Sequence, residues 1–128
     1  MRFPRISAIA AILPLAGCVL GHGRCLFLAP LKSSLTGTVH FREFPAKNFI
    51  DRAPILSLDR TEYVYNPAQS RQCQSAEEVQ LVPIADLPDT IGDNAHVVVE
   101  GSLVDATQDH QHTRFVLNVA SIRLVKKP

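Results

Sequence analysis

The stretch "LTGTVHFREF", residues 35–44, alternates apolar and polar side chains in the way of a β-strand with one buried face. Leu35, Val39 and Phe41 share the apolar face, and polar residues occupy the other. Gly37 also lies on the apolar face, where the missing side chain permits a bulge or a close approach of a neighbouring strand. The pattern therefore predicts the first strand of a β-rich domain.

Four more segments read as strands. The second, fourth and fifth are residues 53–60, 96–103 and 113–125, and the third is either residues 62–65 or residues 78–84. In the fifth, Phe115 and Leu117 share a face that is out of phase with Ile122. We therefore expect a bulge or bend near Ala120 and Ser121.

One segment between the third and fourth strands has helical end signals. In "DLPDTIGDN", Asp86 is suited to cap a helical turn, Pro88 to occupy the first turn and Gly92 to end it. Three strands, a short helix and two strands follow the order of an OB-fold. The sequence thus predicts a mostly β fold, a small five-stranded OB-like barrel with one short helix, over residues 35–128. A β-sandwich fragment competes, but it needs more strands.

The N-terminus has the parts of a secretion signal. Arg2 and Arg5 form a positive start, and residues 6–15 form an apolar segment that is too short to span a bilayer core of roughly 30 Å as a helix. Residues 1–17 are therefore predicted to be a lipoprotein signal peptide, preceding Cys18.

The motif Leu-Ala-Gly-Cys that ends at Cys18 resembles the bacterial lipobox, in which the cysteine sulfur receives a diacylglycerol. Residues 18–34 then form a lipid-anchored tether, with the membrane as partner through the anchor. Val19 replaces the aspartate that retains lipoproteins at the inner membrane. The expected location is therefore the bacterial cell envelope, facing the periplasm, with the outer membrane favoured. An ordinary secretory signal is the alternative.

Three cysteines are present, and lipidation of Cys18 leaves one pair. Because an exported chain reaches an oxidising compartment, we expect Cys25 and Cys73 to form a disulfide. Two free thiols too far apart to meet are the alternative. Metal binding by this pair is disfavoured, since no CxxC spacing occurs.

Charge and motif content exclude several classes of function. The net charge is +1, and it falls when Arg2 and Arg5 leave with a signal peptide, so nothing indicates the clustered basic surface that nucleic acid requires. There is no glycine-rich phosphate loop and no evident nucleophile beside a histidine. The sequence therefore predicts a protein that is not an enzyme and that holds no cofactor.

The histidines near the last strand allow two interpretations. His110 and His112 lie two residues apart, and His96 begins the neighbouring fourth strand. Imidazoles in this arrangement are able to bind zinc or copper. The favoured interpretation is structural, with His110 and His112 marking the start of the last strand.

The motifs "RCLFLAP", "SLTGTVHFREFPA", "ILSLDR" and "HQHTRFVLNVASI" occur in an order that resembles a family of small bacterial exported proteins and lipoproteins of unknown function. That family has a CL…LTG start and a C-terminal HxHT motif. This chain departs from it in "FPAKNFIDRA", which is shorter and lacks a tyrosine. The resemblance implies an exported domain and no activity. We therefore expect a binding module for an envelope protein or a polysaccharide; a metal-binding lipoprotein and an inhibitor of a cell-wall hydrolase are the alternatives.

Overall fold

A computed structural model describes residues 25–69, 71–83, 87–108 and 110–125. In these residues it contains six strands and no helix. The strands are β1 (Leu26–Phe27), β2 (Lys32–Pro45), β3 (Ile50–Tyr65), β4 (Gln74–Val82), β5 (His96–Asp105) and β6 (Phe115–Leu124). Within this part of the chain, nothing helical is long or apolar enough to span a bilayer. The expected signal peptide 1–17, Cys18 and Asp86 lie outside the described residues.

Five of the strands close into a barrel. β3 pairs with β2, β2 with β5, β5 with β6 and β6 with β4, and β4 returns to β3. The β4–β6 pair is parallel, and the other four pairs are antiparallel. The short β1 adds to β3 in parallel. This topology confirms the small OB-like barrel predicted from the strand order.

The barrel interior holds the apolar face of each strand, as the alternation of the sequence predicts. Phe115, on β6, is its largest fully buried side chain. The buried cluster around it comprises Leu35, Val39, Leu56, Val64, Ala76, Val79, Leu81, Ile91, Val97, Val99, Leu103 and Leu117.

The prediction of a short helix between the third and fourth strands is wrong: no helix forms in the described residues. The described part of that segment forms turns, in which the Ile91 N–H donates to the Pro88 carbonyl at 3.0 Å. Asn94 then adopts a positive φ of 70° and donates its N–H to the Val39 carbonyl at 2.7 Å. Cap signals act locally and favour turns as well as helix ends, so a segment this short closes as turns.

Irregularities in the strands follow two of the expectations. Glu100 pairs with Ser121 and Gly101 with Val119, so Ala120 is the unpaired residue of a bulge in β6. A Cβ atom added at Gly37 would collide with the carbonyl oxygen of Ser57, which is the close approach expected at that glycine.

Other boundaries differ from expectation. The third barrel strand contains most of residues 78–84, whereas residues 62–65 are the end of β3. β3 continues past residue 60 because its pairing with β4 is interrupted between Ser57 and Glu62 and then resumes. The structured region begins before residue 35, since β1 and the start of β2 lie in the stretch assigned to the tether.

The expected disulfide between Cys25 and Cys73 is present, with a Cα–Cα distance of 6.3 Å. It joins the residue before β1 to the residue before β4. The bond therefore closes one end of the barrel, where Val64 of β3 pairs with both Leu26 and Gln74.

Candidate functional site

Two connections meet near the start of β3. The first is the β2–β3 turn, closed by a 2.8 Å hydrogen bond from the Ala46 N–H to the Phe49 carbonyl. The second is the β5–β6 connection, residues 106–114, which contains both histidines of the HxHT motif. β6 begins only at Phe115, so strand alternation does not orient these histidines; contacts with the barrel do.

His112 links the β5–β6 connection to the β2–β3 hairpin. Its Nε2 lies 2.6 Å from Oδ2 of Asp51, and its ring stacks on Phe44 with centroids 3.8 Å apart and planes 6° from parallel. Phe44 and Asp51 are register partners in the β2–β3 pair. A single rung of the hairpin therefore supplies both contacts, and it leaves only 18% of the His112 side chain exposed.

The side chain of Gln80, on β4, is almost fully buried. It forms hydrogen bonds with the backbone of the β5–β6 connection. Its Nε2 donates to the His110 carbonyl at 2.8 Å, and its Oε1 accepts from the His112 N–H at 2.7 Å. The Gln80 N–H donates to Oγ1 of Thr113 at 2.9 Å, and that hydroxyl donates to the Phe115 carbonyl at 2.7 Å. We call Phe44, Asp51, Gln80, His112 and Thr113 the clamp.

The three histidines of the alternative, metal-binding interpretation do not all come together: His110 and His112 lie near Asp51, and His96 does not. His110 is largely exposed, with Nδ1 3.8 Å from Oδ2 of Asp51, whereas His96 pairs with Asp59 at 2.7 Å. Asp51 and Asp59 both lie on β3, roughly 25 Å apart along an extended strand. Across the described ranges, no three His, Cys, Asp or Glu side chains form a group able to hold a metal ion.

Two charged contacts flank the clamp. Arg42 and Glu78 form a bidentate pair at 3.0 and 2.7 Å. The hydrogen bond to Glu78 has the largest effect and raises the pKa of the Arg42 guanidinium; partial burial opposes this increase, and the charge of Glu78 adds a smaller increase. Arg52 lies over the Phe41 ring, 4.6 Å from its centroid, as a cation–π contact.

The turn next to the clamp carries exposed apolar side chains. Phe49 is 54% exposed and Ile50 62% exposed. We call these two residues the tip. Because both side chains remain largely in contact with water, folding gains little from their burial. The tip is therefore a candidate contact surface for a partner.

Gln80→Leu tests the clamp. The substitution leaves the His110 carbonyl and the His112 N–H without their partner, so we expect the free energy of unfolding to fall by about 2 kcal/mol. Urea unfolding measures the change, and Gln108→Leu, at an exposed position of the same connection, is the matched control. Equal midpoints for both variants and the wild type would contradict the role of Gln80.

No protein-family model matches this chain, and no curated protein sequence matches it either.

Proposed function

We propose that this protein is a lipid-anchored, non-enzymatic envelope protein whose barrel binds another envelope protein or a polysaccharide in the periplasm. The observation that supports this most is the placement of the tip at the opposite end of β3 from the disulfide. The anchor is proposed at Cys18 on the basis of the lipobox-like motif.

The placement follows from β3 itself. Ile50 begins this strand, whereas Val64 and Tyr65 end it beside β1, which directly follows Cys25. Sixteen residues of strand extend roughly 50 Å when straight, and less when coiled around a barrel. A lipid on Cys18, a few residues before Cys25, holds the disulfide end near the membrane. The tip then points away from the membrane, towards other envelope components.

The clamp suits the tip to binding. Hydrogen bonds and ring stacking fix the β5–β6 connection against the hairpin, so little conformational freedom remains to be lost when a partner binds. The corresponding loops of OB-folds are used for ligands, an analogy of fold that supports the location and not the ligand. The absence of catalysis is proposed because the His112 Nε2 is already engaged by Asp51 and no nucleophilic side chain contacts this histidine among the described residues.

Photo-crosslinking in the native host tests both halves of the proposal. A photoreactive residue replaces Phe49, and the matched control carries it at Leu124, an exposed apolar position on β6. We expect discrete adducts from position 49 only. The wild-type protein should also incorporate a fatty acid, and Cys18→Ser should abolish this incorporation together with most adducts. Ile50→Asp should reduce adducts about tenfold or more, because burial of an isoleucine contributes roughly 1.5–3 kcal/mol.

Two results would overturn the proposal. Adducts at position 49 no more abundant than at position 124 would remove the tip as a contact surface. Wild-type protein without any fatty acid would remove the anchor.

A further inference from the structure

The connection between β1 and β2 is apolar although it is exposed. Phe27 and Leu31 are 51% and 55% exposed, and Ala29 and Pro30 between them are exposed as well. Turn residues other than proline are usually glycine or small polar residues. Here none of the four exposed residues carries a polar side chain. We call Phe27, Ala29, Pro30 and Leu31 the apolar turn.

The fold directs the Phe27 ring outward. Leu26 and Leu28, on either side of it, both pack against the buried cluster of the barrel. Because neighbouring residues of an extended chain point to opposite faces, Phe27 points away from the interior. β1 begins directly after Cys25, so the apolar turn lies at the end of the barrel that the disulfide closes.

Two contacts hold the apolar turn in place. The Phe27 ring meets the ring of Tyr65, the last residue of β3, edge to face with centroids 6.1 Å apart. The Ala29 N–H donates to the Leu103 carbonyl at 2.7 Å. The exposure of these apolar side chains is therefore a fixed feature of this end of the barrel.

Large apolar side chains are exposed at few places among the described residues. Two of the five belong to the apolar turn, two form the tip, and the fifth is Leu124. Since single apolar side chains are normal on a protein surface, only the two pairs indicate contact surfaces. The tip and the apolar turn lie at opposite ends of β3, so they face different partners.

The charges near the apolar turn favour an anionic partner. The disulfide end comprises residues 25–32, 64–69, 71–74 and 102–107. Its basic side chains, Lys32 and Arg71, are both exposed. Its acidic side chain, Asp105, is half-buried and accepts a hydrogen bond from Asn66 at 2.6 Å. The most accessible charges at this end are therefore positive.

The proposed lipid attachment is close by along the chain. Cys18 precedes Cys25 by seven residues, which extend at most about 25 Å. The disulfide fixes Cys25 to the barrel. A lipid on Cys18 thus keeps the disulfide end within about that distance of the bilayer, which gives weak surface contacts a high effective concentration.

We propose that the apolar turn inserts into the interfacial layer of a phospholipid bilayer, with Lys32 and Arg71 against anionic headgroups. The inference rests on the proposed anchor at Cys18. Apolar groups in this layer reach the acyl chains, while a lysine extends its ammonium to the phosphates. A lipid chain and a second, peptide-borne contact together bind a membrane stably. The barrel then stands on its disulfide end, with the tip directed away from the bilayer.

Tryptophan fluorescence tests the contact directly, because the natural chain contains no tryptophan. Leu31→Trp and the matched control Phe49→Trp place a reporter at opposite ends of β3, at positions of nearly equal exposure. The acylated proteins, isolated from the host envelope, are reconstituted in vesicles of brominated phosphatidylcholine and phosphatidylglycerol. Bromine should quench position 31 about threefold or more and leave position 49 unquenched, since only an inserted side chain reaches the acyl chains. Phe27→Trp is the second reporter if Leu31→Trp fails to fold.

Charge reversal gives a further arm. In the Leu31→Trp protein, Lys32→Glu should lower the ratio of docked to undocked molecules about fivefold or more on these anionic vesicles, because a basic residue near the surface is attracted to anionic lipid. On phosphatidylcholine alone the ratio should change little. Lys47→Glu, at an exposed position between β2 and β3, is the matched control and should leave the ratio unchanged. Equal ratios for both reversals would contradict the headgroup contact.

Two further results would overturn the inference. Equal quenching at positions 31 and 49 in acylated protein would do so and would leave the anchor and the tip as proposed. Photo-adducts of position 31 with a single protein, without quenching, would assign the apolar turn to a protein partner. Wild-type protein without fatty acid would remove the proposed function and this inference together, and the fatty-acid measurement identifies that case.

Discussion

Replacement of both paired cysteines, Cys25→Ser/Cys73→Ser, is expected to lower the free energy of unfolding by about 4 kcal/mol. The residues are 48 positions apart, and the chain-entropy relation assigns a loop of that length this restriction of the unfolded state. Small domains have only about 5–15 kcal/mol in total, so the double variant should be close to unfolded at body temperature. Urea unfolding followed by circular dichroism measures the difference.

The loss should also show where the disulfide acts. β1 is two residues long and pairs only with the end of β3, so its amides should exchange fastest in the double variant. Cys18→Ser, which removes the remaining cysteine, is the control and should leave the unfolding midpoint unchanged. Wild-type protein that keeps its midpoint after full reduction would contradict the stabilising role of the bond.

The barrel was predictable because the alternation of apolar and polar residues along each strand shows which face is buried. Residues 35–44 reveal their buried face by alternation, and the break of phase after Val119 reveals the bulge at Ala120 without knowledge of any partner. The length of β3 was not predictable, because Asp59 and Arg60 read as a strand end. Only the position of β4 shows that they lie in an interruption of pairing that later resumes.

The site was predictable only in part for the same reason. His112 was singled out from the sequence, but its partners Phe44 and Asp51 reach it through hairpin register and barrel closure, neither of which a local pattern encodes. Gln80 left a weak signal, a polar residue within the apolar run of the third barrel strand. His96, named in the alternative metal-binding interpretation, lies 2.7 Å from Asp59, whereas His112 lies 2.6 Å from Asp51 at the start of the same strand.

Gly37→Ala and Gly101→Ala are each expected to lower the free energy of unfolding by about 3 kcal/mol. An added Cβ would collide with the carbonyl oxygen of Ser57 in the first case and of Asn118 in the second. Both obstacles are backbone atoms of the neighbouring strand, so no side-chain rotation relieves the overlap. The strands themselves have to separate, and in a closed barrel that movement is opposed by every other strand pair.

Gly92→Ala is the matched control, because nothing lies within 4 Å of the Cβ it would add. Its unfolding midpoint should match the wild type or rise slightly, since alanine restricts the unfolded chain more than glycine does. The contrast separates close approach from a general effect of losing glycine: if all three variants shifted alike, chain flexibility would be the cause. A loss confined to Gly37→Ala and Gly101→Ala requires β2–β3 and β5–β6 to run in direct backbone contact, as the closed barrel demands.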